Sequence, residues 1–330
     1  VPSHPPGDIL FFRWLNDLML ARPNFAQAVL SAGWPYISGI PMLLNNGTNP
    51  ALLAGAILAI PVVVLLGRIA VAPVAALAAT FDVPVVAASL LFLCLPVTLI
   101  FIPLLDSAYP LLTALIVLPG VLAVERRSWP LALLAGLLFG FGLFVTLGIA
   151  VIAIPLGIYA LLRRRWATLQ LALAALAGWV VVWLALWLAA RINMLTIVQS
   201  LWEHQQAWEG RYTYTLWLRW KWYDFVMFAG IPLTLLSLRF LGQSARRWWQ
   251  RTPDRIDLFF AGWLAMMVFM WLTPSVEAEA GRLWAPLMCF AVLFAARALP
   301  PTRWALPAVV MLQLAQTLAL TTYLVIVSPS

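Results

Sequence analysis

Long apolar runs separated by short polar breaks dominate the chain, and most of them have the length of a bilayer crossing. A membrane-spanning helix needs about 20 mainly apolar residues. Runs of that kind fall at roughly 51–69, 84–104, 107–124, 131–146, 148–163, 168–190, 222–241, 256–273, 283–299 and 304–327. They predict an all-α polytopic transmembrane bundle of about 10 spans, with the two runs flanking Thr146 the shortest. Ahead of them, residues 8–20 and 24–37 mix Phe11, Phe12, Trp14, Phe25 and Trp34 with Asp8, Arg13, Asp17 and Arg22. That mixture suits short helices lying in the membrane interface. The turn cluster Asn45-Asn46-Gly47-Thr48-Asn49-Pro50 closes this region. The chain thus divides into an interfacial segment, 1–49, and a transmembrane domain, 50–330, with a long polar and aromatic loop at 191–221.

Composition agrees with the pattern. The chain is 64% hydrophobic and only 10% charged, with a mean hydropathy of +0.96, which excludes an ordinary soluble domain. Val1-Pro2-Ser3-His4-Pro5-Pro6-Gly7 has neither the charged nor the apolar region of a targeting signal, and an N-terminal truncation is expected. Cys94 and Cys289 fall inside predicted spans, where thiols behave as small hydrophobes, so no disulfide or metal framework follows.

The net charge of +8 is distributed by sign. Arg126 and Arg127, Arg163 to Arg165, Arg246, Arg247, Arg251, Arg255, Arg297 and Arg303 fall in alternate short loops, the bias that marks a cytoplasmic face. With Arg68 and Arg239, that face holds 13 basic residues against four acids, Asp82, Glu125, Asp254 and Asp257. Such loops orient the protein and meet anionic lipid, so membrane lipid is an expected partner and nucleic acid is not. Threading from these loops makes 1–49 extracytoplasmic, with the run 51–69 delivering Arg68 to the cytoplasm. Asp106, the turn at Thr146, the loop 191–221 and the turn 273–282 then share the outer face.

That face holds the candidate chemistry. Asp106 is a lone carboxylate between two apolar runs, which makes it a candidate functional group. It also suits a helix N-cap, and the two roles are compatible. His4-Pro5-Pro6-Gly7 is stiff and extended, either a rigid turn or part of a substrate site. The outer loop offers Glu203, His204, Glu209, Arg211, Tyr212 and Tyr214 among Trp202, Trp208, Trp217 and Trp220. Aromatic faces there could stack on sugar rings or anchor the loop at the headgroups, and Arg211 could grip a phosphate. Glu279 and Arg282, three apart, make either a stabilising pair at a helix start or a site where Arg282 holds a phosphate. No phosphate-binding glycine loop, His-Glu-x-x-His helix or Gly-x-Ser-x-Gly elbow occurs. With only His4 and His204 in the chain, a multi-histidine metal site is excluded.

His-Pro-Pro-Gly before a span, Leu105-Asp106-Ser107-Ala108-Tyr109-Pro110-Leu111 at a helix start, and Glu279-Ala280-Gly281-Arg282-Leu283-Trp284 near the end together resemble the GT-C superfamily. These integral-membrane glycosyltransferases use polyprenyl-phosphate sugars, and they include protein mannosyltransferases and the aminoarabinose transferase of lipid A. The resemblance implies an inverting transfer from a lipid-linked donor on the outer face of a bacterial inner membrane, with a first span and a catalytic acid upstream of Val1. It makes Asp106 the acceptor-binding or assisting carboxylate. His4, Glu203, His204, Glu209, Arg211, Tyr212 and Arg282 are the substrate-binding candidates, and the polyprenyl-phosphate sugar is the donor substrate. It leaves the metal requirement open. Two other readings fit the residues. A transporter or flippase of lipid-linked substrates would use the spans interrupted by Pro61, Pro96, Pro155 and Pro232, and a catalytically inactive membrane partner would use none of the site.

Overall fold

Proline sets many of the element boundaries, because it is preorganised for the first helical turn and lacks the N–H that would be unpaired there. The computed structural model describes residues 6–37, 49–100, 104–164, 166–208, 214–273 and 280–327. Helices α1 (Pro6–Ala21), α2 (Pro23–Ile37), α3 (Pro50–Ile69) and α6 (Pro96–Ile100) begin on proline, with α4 (Val71–Thr80) and α5 (Val85–Leu93) between the last two. A 3-10 turn, η1 (Leu105–Ala108), leads into α7 (Tyr109–Arg126), and α8 (Trp129–Val145) follows. A second 3-10 turn, η2 (Leu147–Ile152), leads into α9 (Ala153–Arg164). Then come α10 (Thr168–Ala190), α11 (Met194–Trp208), α12 (Tyr214–Ala229), α13 (Ile231–Trp249), α14 (Arg255–Leu272), α15 (Ala280–Ala298) and α16 (Ala305–Val327). Among the described residues there is no strand. The all-α polytopic expectation is met.

Six helical stretches are long and apolar enough to cross a membrane, or seven if the bent pair α12–α13 counts as one. α8 and the apolar part of α15, Trp284–Ala298, are shorter apolar helices, and the run expected at 84–104 is divided into α5 and α6. The remaining three expected spans fall on these shorter helices, so among the described residues six or seven helices, rather than about 10, have the length and apolarity of a span. α1 and α2 pack along α3, where Gly55 lies against the backbone of Leu15 and Asn16 and Gly33 lies against Ile57.

The core is built around α15. From Trp284 to Ala296 every residue is buried, as expected for a helix that is apolar on all sides. It packs against α5, α7, α12 and α13. Elsewhere small residues let backbones approach. α8 and α10 meet where Gly136 faces the Ala175 carbonyl and Gly178 faces that of Leu133, the small-residue packing common between membrane helices.

At one end of the bundle the loops expected on the cytoplasmic face converge, and all four of their acids are paired. Glu125 accepts from Arg163 and the Tyr159 hydroxyl, and Arg255 lies 3.6 Å from its other oxygen. Arg255 also reaches Asp82. Arg247 forms two parallel 2.6 Å bonds with Asp257, a fully buried carboxylate that also completes the capping box of α14 with Asp254. Arg297 bridges Asp254 and the Asp82 carbonyl. This is the basic end of the molecule.

Candidate functional site

At the opposite end, η1 holds Asp106. α7 runs from η1 to Glu125 at the basic end, and 18 residues at 1.5 Å each separate the two by about 27 Å. Asp106 is 7% exposed. It is not the N-cap of α7, since that position is Ala108 and no side chain caps it. η1 packs against α3, α6 and α15. The Ser107 hydroxyl donates back to the Leu104 carbonyl at 2.8 Å, closing the turn locally.

Arg68 corrects the expected threading. α3 does not end at the basic end. It continues through α4, and the stretch Pro50–Thr80 forms a single candidate span of 31 residues. Alanine and valine at the α3–α4 joint provide no helix stop, so the polypeptide reaches Asp82 only after about 15 Å more of helix. Gly67 lies against the Ser107 carbonyl, 2.7 Å from where a Cβ would stand. The Arg68 guanidinium donates to the Leu93 carbonyl at 2.9 Å, in the gap left where α5 ends. Arg68 therefore belongs to the neighbourhood of η1 rather than to the ion-pair network.

Lys221 is the residue that sequence reasoning passed over. It is completely buried, and its ammonium donates to the carbonyls of Trp271 (3.2 Å) and Thr273 (2.7 Å) at the C-terminal end of α14. A cation satisfies the free carbonyls of a helix end and its negative dipole. The Tyr214 hydroxyl donates to Leu272 and the Trp271 indole to Leu218, so the first half of α12 is fastened to that end. The available signal was the chain's single lysine, set between Trp220 and Trp222 in an aromatic run that also carries Arg219 and Asp224. α12 and η1 both pack against α6 and α15, and Phe225 of α12 meets Trp284 with ring centroids 5.3 Å apart.

The expected substrate-binding residues distribute as follows. Arg282 is in the first turn of α15, the helix that packs on η1, so its backbone and Asp106 share this end of the bundle. Glu203 and His204 are on α11. Glu203 is exposed and accepts from Gln199 Nε2 at 3.0 Å. His4, Glu209, Arg211 and Tyr212 lie outside the described residues. Thr113, seven residues beyond Asp106, is fully buried, with its hydroxyl unpaired among the described residues. Among the described residues no three His, Cys, Asp or Glu side chains form a group that could hold a metal ion. Cys94 and Cys289 are free and buried.

Near this end the backbone breaks inside an apolar run. The run expected as one span at 222–241 is two helices, and the axes of Leu218–Ala229 and Ile231–Trp249 differ by 107°. Gly230 makes the corner at φ +96° and ψ 137°, a conformation essentially restricted to glycine. A break inside lipid frees backbone groups that must find partners within the protein. Two glutamines of α16 provide them. Gln313 Nε2 donates to the Ala229 carbonyl at 2.6 Å, Gln316 Nε2 donates to Met227 at 3.1 Å, and Gln316 Oε1 accepts the Ile231 N–H at 2.7 Å.

Among the described residues the arrangement offers a buried carboxylate, cations on neighbouring elements and a helix start at one end of an apolar bundle. That set can orient a hydroxyl and balance negative charge on a phosphate. No protein-family model, curated protein or solved structure matches the chain.

Proposed function

We propose that this protein is a membrane glycosyltransferase of GT-C type, moving a sugar from a polyprenyl-phosphate carrier to an acceptor hydroxyl. The observation that carries the reading is the burial of Asp106 at the end of the bundle remote from the arginine network, on the turn that packs against the helix bearing Arg282. Basic loops stay in the cytoplasm, which orients the site toward the outer face, in a bacterium that of the inner membrane. The acceptor O–H gives its proton to Asp106 as its oxygen attacks the anomeric carbon. The bond from that carbon to the phosphate oxygen breaks, the configuration inverts, and the lipid phosphate leaves with the electron pair. Arg282, Arg211 and Arg68 are the groups suited to balance the charge returning to the phosphate.

A transporter of lipid-linked substrates is the second reading. The glycine corner at Gly230 favours it, because broken helices are where such proteins place their substrate sites. The test is transfer of radiolabelled sugar from polyprenyl-phosphate donors in membranes holding wild type, Asp106→Asn or Arg282→Ala. Transfer by wild type that is lost in both variants at equal protein level supports the enzyme. No transfer from any donor, with flipping of the labelled lipid in vesicles, favours the transporter. Equal transfer by all three refutes the assigned site.

A further inference from the structure

Between α7, α8, α9 and α10 lies a cavity of about 320 Å³ with an almost wholly apolar lining. Its volume falls in the range of small-molecule sites. It exists because α10 packs tightly on α8 through Gly136 and Gly178 and only loosely on α7 and α9. It runs from Thr168 near the basic end to Trp179, about 16 Å deeper along α10.

Two arginines stand just beyond the lining at the basic end. On α9 the lining positions Ala153, Gly157 and Ala160 fall on one helical stripe, and the next position on that stripe is Arg164. The Nε of Arg164 is shut away from solvent with no hydrogen-bond partner among the described residues. The lining stripe of α7 ends likewise at Arg127, in the left-handed conformation at φ 52°. Neither arginine makes an ion pair among the described residues. Glu125, two residues before Arg127, is already taken by Arg163, Arg255 and Tyr159. Trp129 and Trp166, 66% and 91% exposed, flank the mouth as headgroup-level anchors do.

We propose that this cavity binds one anionic phospholipid from the leaflet at the basic end, with an acyl chain in the hollow and the phosphate held by Arg127 and Arg164. The site is separate from Asp106 and does not depend on the glycosyltransferase reading.

Native mass spectrometry of protein taken from nanodiscs of equal phosphatidylglycerol and phosphatidylcholine tests it. Wild type retains one phosphatidylglycerol per chain. The double variant Arg127→Gln/Arg164→Gln lowers the preference for phosphatidylglycerol by about 10- to 30-fold, the effect of two basic residues at a membrane surface. A Cβ built on Gly157 meets nothing within 4 Å, so Gly157→Leu fills the hollow without displacing a helix and abolishes retention of either lipid. Gly242 on α13 is equally open, and Gly242→Leu leaves retention unchanged. Retention by Gly157→Leu, or an unchanged lipid preference in the arginine variant, overturns the proposal. Should Gly157→Leu melt below wild type, the arginine variant decides alone.

Discussion

Replacing Gln316 by leucine isolates the force that holds the broken span together. The side chain makes two bonds to the corner, accepting from Ile231 and donating to Met227. Hydrogen bonds between membrane helices contribute about 0.6 to 2 kcal/mol each, and a buried amide left without a partner costs about 1 to 3 kcal/mol. A continuous helix would pair the Met227 carbonyl with the Ile231 N–H; at this break both depend on Gln316, and leucine leaves both without that partner. Leucine in the apolar layer returns about 0.5 kcal/mol. The expected net loss is about 2 kcal/mol, roughly a 30-fold shift in the folding equilibrium. Reversible unfolding in bicelles, followed by steric trapping, measures it. Thr321→Val is the control, because that hydroxyl bonds only within its own helix. A loss for Gln316→Leu within about 0.5 kcal/mol of the control, the ordinary range of neutral substitutions, would refute the view that α16 satisfies the break. A cycle sharpens the test. Gly230→Ala suffers backbone strain of about 1 to 3 kcal/mol and a clash, since its Cβ would stand 2.3 Å from Gln313 Nε2. In a Gln313→Ala background the clash is absent and the strain remains, so Gly230→Ala is less damaging there than alone.

Other outcomes follow from the basic end and from the helix contacts. Asp257→Ala removes a fully buried partner of Arg247 and one half of a capping box, and is expected to lose about 3 to 5 kcal/mol in the same unfolding assay. Arg297→Ala breaks an exposed pair and should lose about 0 to 1 kcal/mol. Glu125→Ala leaves Arg163 and the Tyr159 hydroxyl without their acceptor and Arg255 with Asp82 alone, and should be clearly more damaging than Asp82→Ala, whose carboxylate is 73% exposed; equal effects would argue against the network. Gly136→Ala drives a Cβ to 1.9 Å from the Ala175 carbonyl, a backbone atom that cannot rotate away, so α8 and α10 must separate at about 1 to 3 kcal/mol or more. Thermal melts of Gly136→Ala against Gly140→Ala, whose nearest neighbour is a side-chain atom at 3.0 Å, should rank the first as the less stable.

Charge sign made the topology legible. Arg126, Arg163, Arg247, Arg255 and Arg297 fall in alternate loops, and those loops meet at one end of the fold, where Asp82, Glu125 and Asp254 each pair with a cation of another loop and Asp257 pairs with Arg247 of its own. Asp106 was legible as an isolated charge, and its burial agrees. Arg68 was misplaced because an arginine at the end of an apolar run reads as a loop residue, whereas the backbone there has no reason to leave the helix. Pro232 marked an interruption, but the angle at Gly230 depends on Gln313 and Gln316, which lie 84 to 89 residues away from the groups they bond. In a hydropathy average, two amides in a run as apolar as 304–327 barely register. Lys221 was hidden for the related reason that its partners are main-chain carbonyls, which every residue carries.

The distance along the chain between the corner and its two glutamines sets an order of events in synthesis. At about 5 to 20 residues per second, the backbone around Gly230 emerges several seconds before α16 exists. During that interval the freed groups of Met227, Ala229 and Ile231 have none of their final partners, so the corner is held provisionally by water, by the insertion machinery or by a straighter conformer. α16 is mostly exposed to its surroundings, yet its arrival latches the corner. A ribosome stalled before Gln313 would therefore leave the preceding helices with an unlatched bend that membrane quality control can recognise.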